Sequence, residues 1–281
     1  MLWLILFGCL MLSLLCSIPF IFASKWFSTL FSLHEGNKLK LMQSVQIFFL
    51  LGAPTLLFAF FYSSKPFAWL CLQKKPTFKQ LLWTTLAYAG ISPLVNWLVK
   101  LNEAIRLPSA LDAIERYMLD MEETLRQATL QMLQVSEPID MVSNWLVVAL
   151  LAGLVEELFF RGVIQQLVLR SSRRHAFLGI LFTAILFSAI HMQFYGFFPR
   201  MVLGFMMGYL FYCTGNLWIA IYFHVLNNSI ALIEISLTQS TTTQPLFSIN
   251  QSPPLLQVIF YLAGTFLLCV SMIQLKKTAS L

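Results

Sequence analysis

Apolar residues run in long stretches along most of this chain, with polar residues gathered into short gaps between them. A helix needs about 20 mostly apolar residues to cross the hydrocarbon core of a bilayer. The pattern predicts eight such spans, at roughly residues 2–23, 44–62, 80–99, 141–169, 176–194, 200–213, 216–236 and 255–275. The sixth is short, and only Thr214 and Gly215 divide it from the seventh, so seven spans is the alternative count. The fourth is long enough to tilt or to project from the bilayer. The expected fold class is all-α, a polytopic membrane helix bundle.

One extended polar region interrupts the pattern, at residues 100–140, with eight acidic residues against four basic ones. Within it Leu111, Ile114, Met118, Met121, Leu125 and Met132 recur mostly three or four residues apart. That spacing predicts an amphipathic helix, which either lies on the membrane surface, lids the bundle or serves as a solvated connector. Residues 1–140 thus form an amino-terminal membrane region of three helices plus this segment, and 141–281 a second membrane region. The two are expected to make one structural unit, without internal repeats.

Composition sharpens the membrane reading. Hydrophobic residues make up 58% of the 281 positions and charged residues 11%, where soluble domains carry roughly 25% charged. A net charge of +6 would suggest nucleic acid for a soluble protein. Here the basic residues sit between apolar runs, as orientation in a membrane requires, so no nucleic-acid partner is expected. The expected partners are membrane lipid and a membrane-associated peptide or protein substrate; the pattern is silent on oligomeric state. Cys9, Cys16, Cys71, Cys213 and Cys269 show no paired spacing, which argues against a disulfide framework or a thiolate metal site.

Residues 1–23 read as a retained first helix, because no positive segment precedes the apolar run. Leu14 and Leu15 are also too bulky for lipoprotein cleavage before Cys16. Placing both termini in the cytoplasm puts Lys65, Lys74, Lys75, Lys79, Arg170, Arg173, Arg174, Lys276 and Lys277 on that side. The acidic 100–140 segment and the uncharged 237–254 loop then lie outside, and Lys25, Lys38 and Lys40 are the exceptions.

Ionisable groups inside the spans carry the candidate chemistry. A charge near the bilayer centre costs at least about 2.5 kcal/mol and marks a functional site by default. The fourth span holds Glu156, Glu157 and Arg161, the fifth His191, and the seventh His224, Asn227, Asn228 and Glu234. Arg200 opens the sixth and reads as interfacial. Glu157 and Arg161 are four apart and can pair on one helix face. Glu156 is rotated about 100° away and can face the bundle interior. His224 and Asn228 share a face, whereas Asn227 reads as a packing hydrogen bonder. Phe187, one turn before His191, can wall its pocket.

Any one of these polar residues alone is commonly interhelical glue. Two adjacent carboxylates, two histidines and an asparagine on three apolar helices exceed what packing needs. A carboxylate in low dielectric can act as general base near neutral pH, and histidine can share that work. A His and an Asn on one face can aim two donors at an oxyanion. No Gly-x-Ser-x-Gly or His-Glu-x-x-His motif is present. Such a site requires the Glu156 carboxylate within about 10 Å of the imidazoles.

Glu156-Glu157-x-x-x-Arg161, Phe187-x-x-x-His191 and His224-x-x-x-Asn228 resemble, in order, the three motifs of the CPBP intramembrane proteases, also called the Abi or CAAX-protease family. That group includes the type II CAAX prenyl endopeptidases. The resemblance spans about residues 148–236. It implies an eight-helix fold and a glutamic endopeptidase that forms no covalent intermediate; no cofactor or metal ion is expected. By it, Glu156 and His191 activate water, His224 and Asn228 stabilise the oxyanion, and Glu157 with Arg161 organises the site. Glu122-Glu123-Thr-Leu-Arg126 is one residue short of the first motif and reads as a solvated cluster. The expected location is a bacterial inner membrane. Three other readings stand beside this one: a metal-dependent protease with Glu156, His191 and His224 as ligands, a non-enzymatic immunity or scaffold protein, and a proton-coupled transporter.

Overall fold

The computed structural model describes residues 2–30, 34–171, 175–240 and 254–279, and among these every regular element is helical. The first helix, α1, is Leu2–Leu30. Next, α2 (Glu35–Ile47) continues through a π-helical stretch, Phe48–Gly52, into α3 (Ala53–Tyr62). A single turn, α4 (Pro66–Trp69), precedes α5 (Phe78–Glu103). The amphipathic segment forms α6 (Asp112–Met132). A long helical run then comprises α7 (Pro138–Asn144), a π stretch Trp145–Leu151, α8 (Ala152–Phe159), a second π stretch Phe160–Gln165 and α9 (Gln166–Ser171). The chain ends with α10 (Ala176–Ala189), α11 (Phe197–Thr214), α12 (Leu217–Ser240) and α13 (Pro254–Ala279).

Each predicted apolar stretch lies on a helix, and the differences have local causes. The second helix starts earlier than expected because Lys40 is accommodated inside it. That side chain is 4% exposed and donates to Asn37 Oδ1 at 3.1 Å and Ser143 Oγ at 2.8 Å. The fifth helix stops at Ala189 because the chain turns sharply there, with Met192 at φ 55°. Gly215, at φ 59°, caps α11 and separates it from α12, a backbone conformation that favours glycine.

By length and composition, four described segments can cross a membrane: Leu2–Ser24, Glu35–Tyr62, Leu217–Leu237 and Leu255–Thr278. Ala176–Ala189 is a shorter apolar helix. The 138–171 run is not among them.

The bundle is apolar outside, and its largely apolar interior encloses a polar cluster. Leu4, Leu15, Phe22, Leu255 and Phe266 point outwards, while Glu157, Arg161 and Gln165 are fully buried. This suits a lipid surround, where buried polar groups must find partners inside the protein. Hydrogen bonds define the two ends. At one, Gln166 donates to the Trp69 carbonyl, Leu217 N–H to Cys71 and Trp218 Nε1 to Leu72. Arg170 lies there too, donating to Tyr62 Oη at 2.7 Å. At the other end, Asn102 Nδ2 donates to the Phe194 carbonyl, and the Phe198 N–H donates to Asn102 Oδ1. The predicted basic residues Arg173 and Arg174, and nearly all of the 237–254 loop, fall outside the described residues.

α13 packs along α5, α10 along α11, and α12 along α8. The last contact is close because position 153 is glycine: a Cβ there would sit 2.9 Å from Val225 Cγ2. That approach brings α12, with its histidine, against the paired glutamates of α8.

Candidate active site

Three helical segments deliver the polar cluster. Glu156 and Glu157 lie in the middle of α8, and Arg161 follows in the second π stretch. His191 sits in the turn just after α10, at the same end of the bundle as Asn102 and Phe194. His224 enters from the middle of α12.

Glu157 is the buried anchor. Its Oε1 accepts from Arg161 Nη1 at 2.5 Å and from His224 Nδ1 at 2.8 Å, and neither carboxylate nor guanidinium is exposed. Arg161 also donates Nη2 to the Gly204 carbonyl at 2.7 Å and lies over the Phe187 ring, 4.7 Å from its centroid. Position 204 is tight: a Cβ there would come 3.0 Å from Phe187 Cδ1 and 3.4 Å from Arg161 Nη2, so a larger residue requires these side chains to shift. Because the carboxylate is the acceptor, the Nδ1 of His224 carries the proton and its Nε2 faces away from Glu157.

Glu156 turns the other way, as its rotation along the helix predicts. Its Oε2 is 3.8 Å from His191 Nε2 and 3.9 Å from His224 Nε2. Both separations exceed a hydrogen bond. The buried Oε2 accepts from no protein group. His191 Nδ1 lies 2.8 Å from the Phe187 carbonyl, which can only accept, so Nδ1 is protonated and the Nε2 lone pair faces Glu156. The Phe187 ring packs against both imidazoles, at 5.1 Å from His191 and 5.8 Å from His224. Thus Phe187 walls the pocket, as its position one turn before His191 suggests.

Exposure grades across the cluster. The side chains of Glu157 and Arg161 are 0% exposed, those of Glu156 and His191 14% and 28%. The open side of the site is therefore the Glu156–His191 side. Glu157 Oε2 and Arg161 Nε make no hydrogen bond. A packing network usually satisfies such groups, and functional sites are where exceptions gather.

Asn228 stands slightly apart. Its Nδ2 donates to the Val148 carbonyl at 3.0 Å, and its Oδ1 accepts from Asn227 Nδ2 at 3.1 Å. Asn227 thereby fixes which way the neighbouring amide points. Five of the six expected residues converge directly, and Asn228 is fastened one turn further along α12.

Two groups near the site escaped the sequence reading. Arg200, read as interfacial, lies partly buried in the first turn of α11, with Nη2 donating to Gln193 Oε1 at 2.5 Å. Glu122 of α6, read as part of a solvated cluster, accepts from the Tyr195 N–H at 3.4 Å. Its neighbour Glu123 does face solvent, and two hydrogen bonds from Arg126 at 2.7 Å hold its carboxyl down at about 2. Hence α6 leans on the loop that follows His191. The signal for Arg200 was in view: a cation directly after Pro199, at the mouth of an apolar helix.

Residues 138–230 match the family model described as type II CAAX prenyl endopeptidase Rce1-like. This part of the chain is similar to the CPBP/CAAX protease family, over about a third of the chain's length. The match begins at Pro138, where α7 opens, and contains Glu156, Glu157, Arg161, His191, His224 and Asn228. That likeness suggests a membrane protease. Comparison with curated proteins and with solved structures gave no match.

Proposed function

We propose that the protein is an intramembrane glutamic endopeptidase of the CPBP type, hydrolysing a peptide bond of a membrane-associated substrate. The observation that carries this reading is the free, buried Oε2 of Glu156 between two imidazole Nε2 atoms, at 3.8 and 3.9 Å. Those distances suit a bridging water rather than direct contact. A water there can donate one O–H to Glu156 and the other to the His191 Nε2 lone pair. Its oxygen then attacks the scissile carbonyl carbon while Glu156 takes the proton.

The developing oxyanion falls to His224. Glu157 holds Nδ1, so the ring meets the oxyanion through Nε2, which donates when it carries a proton. Asn228 keeps a second Nδ2 hydrogen beyond the one given to Val148, and adds a donor from the same face of α12. Collapse of the tetrahedral intermediate breaks the C–N bond, and Glu156 passes its proton to the leaving amine. Glu157 and Arg161 touch no reacting atom; they fix the ring of His224 and balance charge.

Eight spans with both termini cytoplasmic, in a bacterial inner membrane, fit the clustering of Lys65–Lys79 and Arg170 at one end of the bundle. His191 then lies about 22 Å from that end, counting 1.5 Å per residue from Ala176. The catalytic centre accordingly sits towards the non-cytoplasmic side, beneath α6.

Terminal proteomics on membranes carrying wild type or Glu156→Gln tests the function. A defined fragment should appear with the wild type alone. Identical peptide termini in both would refute a Glu156-dependent peptidase and favour the scaffold reading.

A further inference from the structure

Arg200 makes an incomplete set of contacts for a guanidinium. Its Nη2 donates to Gln193 Oε1 at 2.5 Å, but Nη1 is buried and has no partner. The group packs on the backbone of Gly196, where a Cβ would lie 3.0 Å from Nη2 and 3.5 Å from Nη1. A buried N–H without an acceptor is costly, more so when the group is charged. The position is close to the chemistry. Gln193 is two residues past His191, and the Arg200 charge is felt at both His191 and Glu156. Glu122, from α6, is the other acid within its electrostatic reach.

Neutralising Glu156 alone is a weak explanation of this arrangement. The Glu156 carboxylate keeps its Oε2 towards the imidazoles and accepts nothing from Arg200. A guanidinium presents paired N–H donors in a fixed plane, matched to a carboxylate. Nη1 is the half of that fork that no protein group fills. Building on the peptidase reading, we propose that Arg200 binds a carboxylate of the substrate, close in sequence to the scissile bond, and so determines which peptides are cut. That carboxylate belongs either to the chain end or to an Asp or Glu side chain.

The test uses three pools of degenerate apolar octapeptides: free acids, C-terminal amides, and amides with Glu in the second half. Each pool is incubated with the full-length protein in nanodiscs, and the products are identified by mass spectrometry. Each is also passed over immobilised Glu156→Gln protein, where retention reports binding without cleavage. A charge-assisted carboxylate contact should favour the acid pool over the amide pool by about 10- to 100-fold. Arg200→Gln should bring that ratio close to one, and Arg200→Lys should restore part of it. Preference for the Glu-containing amides instead assigns the side-chain source.

Equal treatment of all three pools by the wild type overturns the proposal while leaving the peptidase intact. So does a ratio that survives Arg200→Gln while both pools slow together, as a transition-state or purely structural role would give. Retention of the acid pool without cleavage of any pool upholds the carboxylate site and tells against the peptidase reading.

Discussion

Glu157→Gln keeps the size of a fully buried side chain and removes the charge that Arg161 and His224 share. The structure shows Oε1 accepting from Arg161 Nη1 at 2.5 Å and His224 Nδ1 at 2.8 Å, with no exposure of the Glu157–Arg161 pair. Removing one partner of a buried ion pair leaves the other charge stranded, at a cost of about 3–5 kcal/mol. Glu156→Gln, one residue away, is a different perturbation. The lost oxygen is one that no protein donor contacts, so stability should hold within about 1 kcal/mol. Losing the general base should slow cleavage by about 100- to 10,000-fold or more. Thermal unfolding in nanodiscs, read alongside turnover of the natural fragment, separates the two. Glu157→Gln should lower the unfolding midpoint clearly, and Glu156→Gln should leave it in place with cleavage lost. Equal destabilisation by both, or cleavage retained by Glu156→Gln, would refute the division of labour between these neighbours.

Gly204→Ala should cost about 1–3 kcal/mol, because its Cβ crowds Phe187 and the Arg161 Nη2; denaturation midpoints check this, and an unchanged midpoint would show that the α11 contact is slack. Asp140 is held below the usual carboxylate range by the N–H groups of Ser136 and Glu137, with Lys40 and His34 adding to the effect. A depressed carboxylate stabilises above its unfolded value and loses that contribution as pH falls through its folded value. The start of α7 should therefore stay protected from hydrogen exchange down to about pH 4 and open below it, a step that Asp140→Asn should abolish. Cleavage should persist in excess EDTA; loss of activity restored by a divalent ion would instead favour Glu156, His191 and His224 as metal ligands.

Much of the site was legible because its logic is local. The Glu157–Arg161 pair follows from a four-residue spacing, and the outward turn of Glu156 from one step of helix rotation. Phe187 beside His191 follows likewise. What depends on helices distant in sequence could not be read. The bond from His224 to Glu157 joins residues 67 apart, and only the packing of α12 on Gly153 makes it. Asn228 looked like a second oxyanion donor, and its tie to Val148 comes from a neighbouring helix. The π stretches at Trp145–Leu151 and Phe160–Gln165 leave no mark in apolar periodicity. Four membrane-crossing helices, rather than eight, stand out by length and apolarity among the described residues.

The Glu157–Arg161 pair also bears on biogenesis. Both charges belong to one helical run, so the segment can leave the translocon carrying its own counter-ion and does not wait for a partner helix. Only the Glu156 carboxyl then adds to the insertion penalty. His224 emerges much later in synthesis, after α10 and α11, and finds the ion pair already in place. Completion of the candidate site is thus deferred until α12 docks.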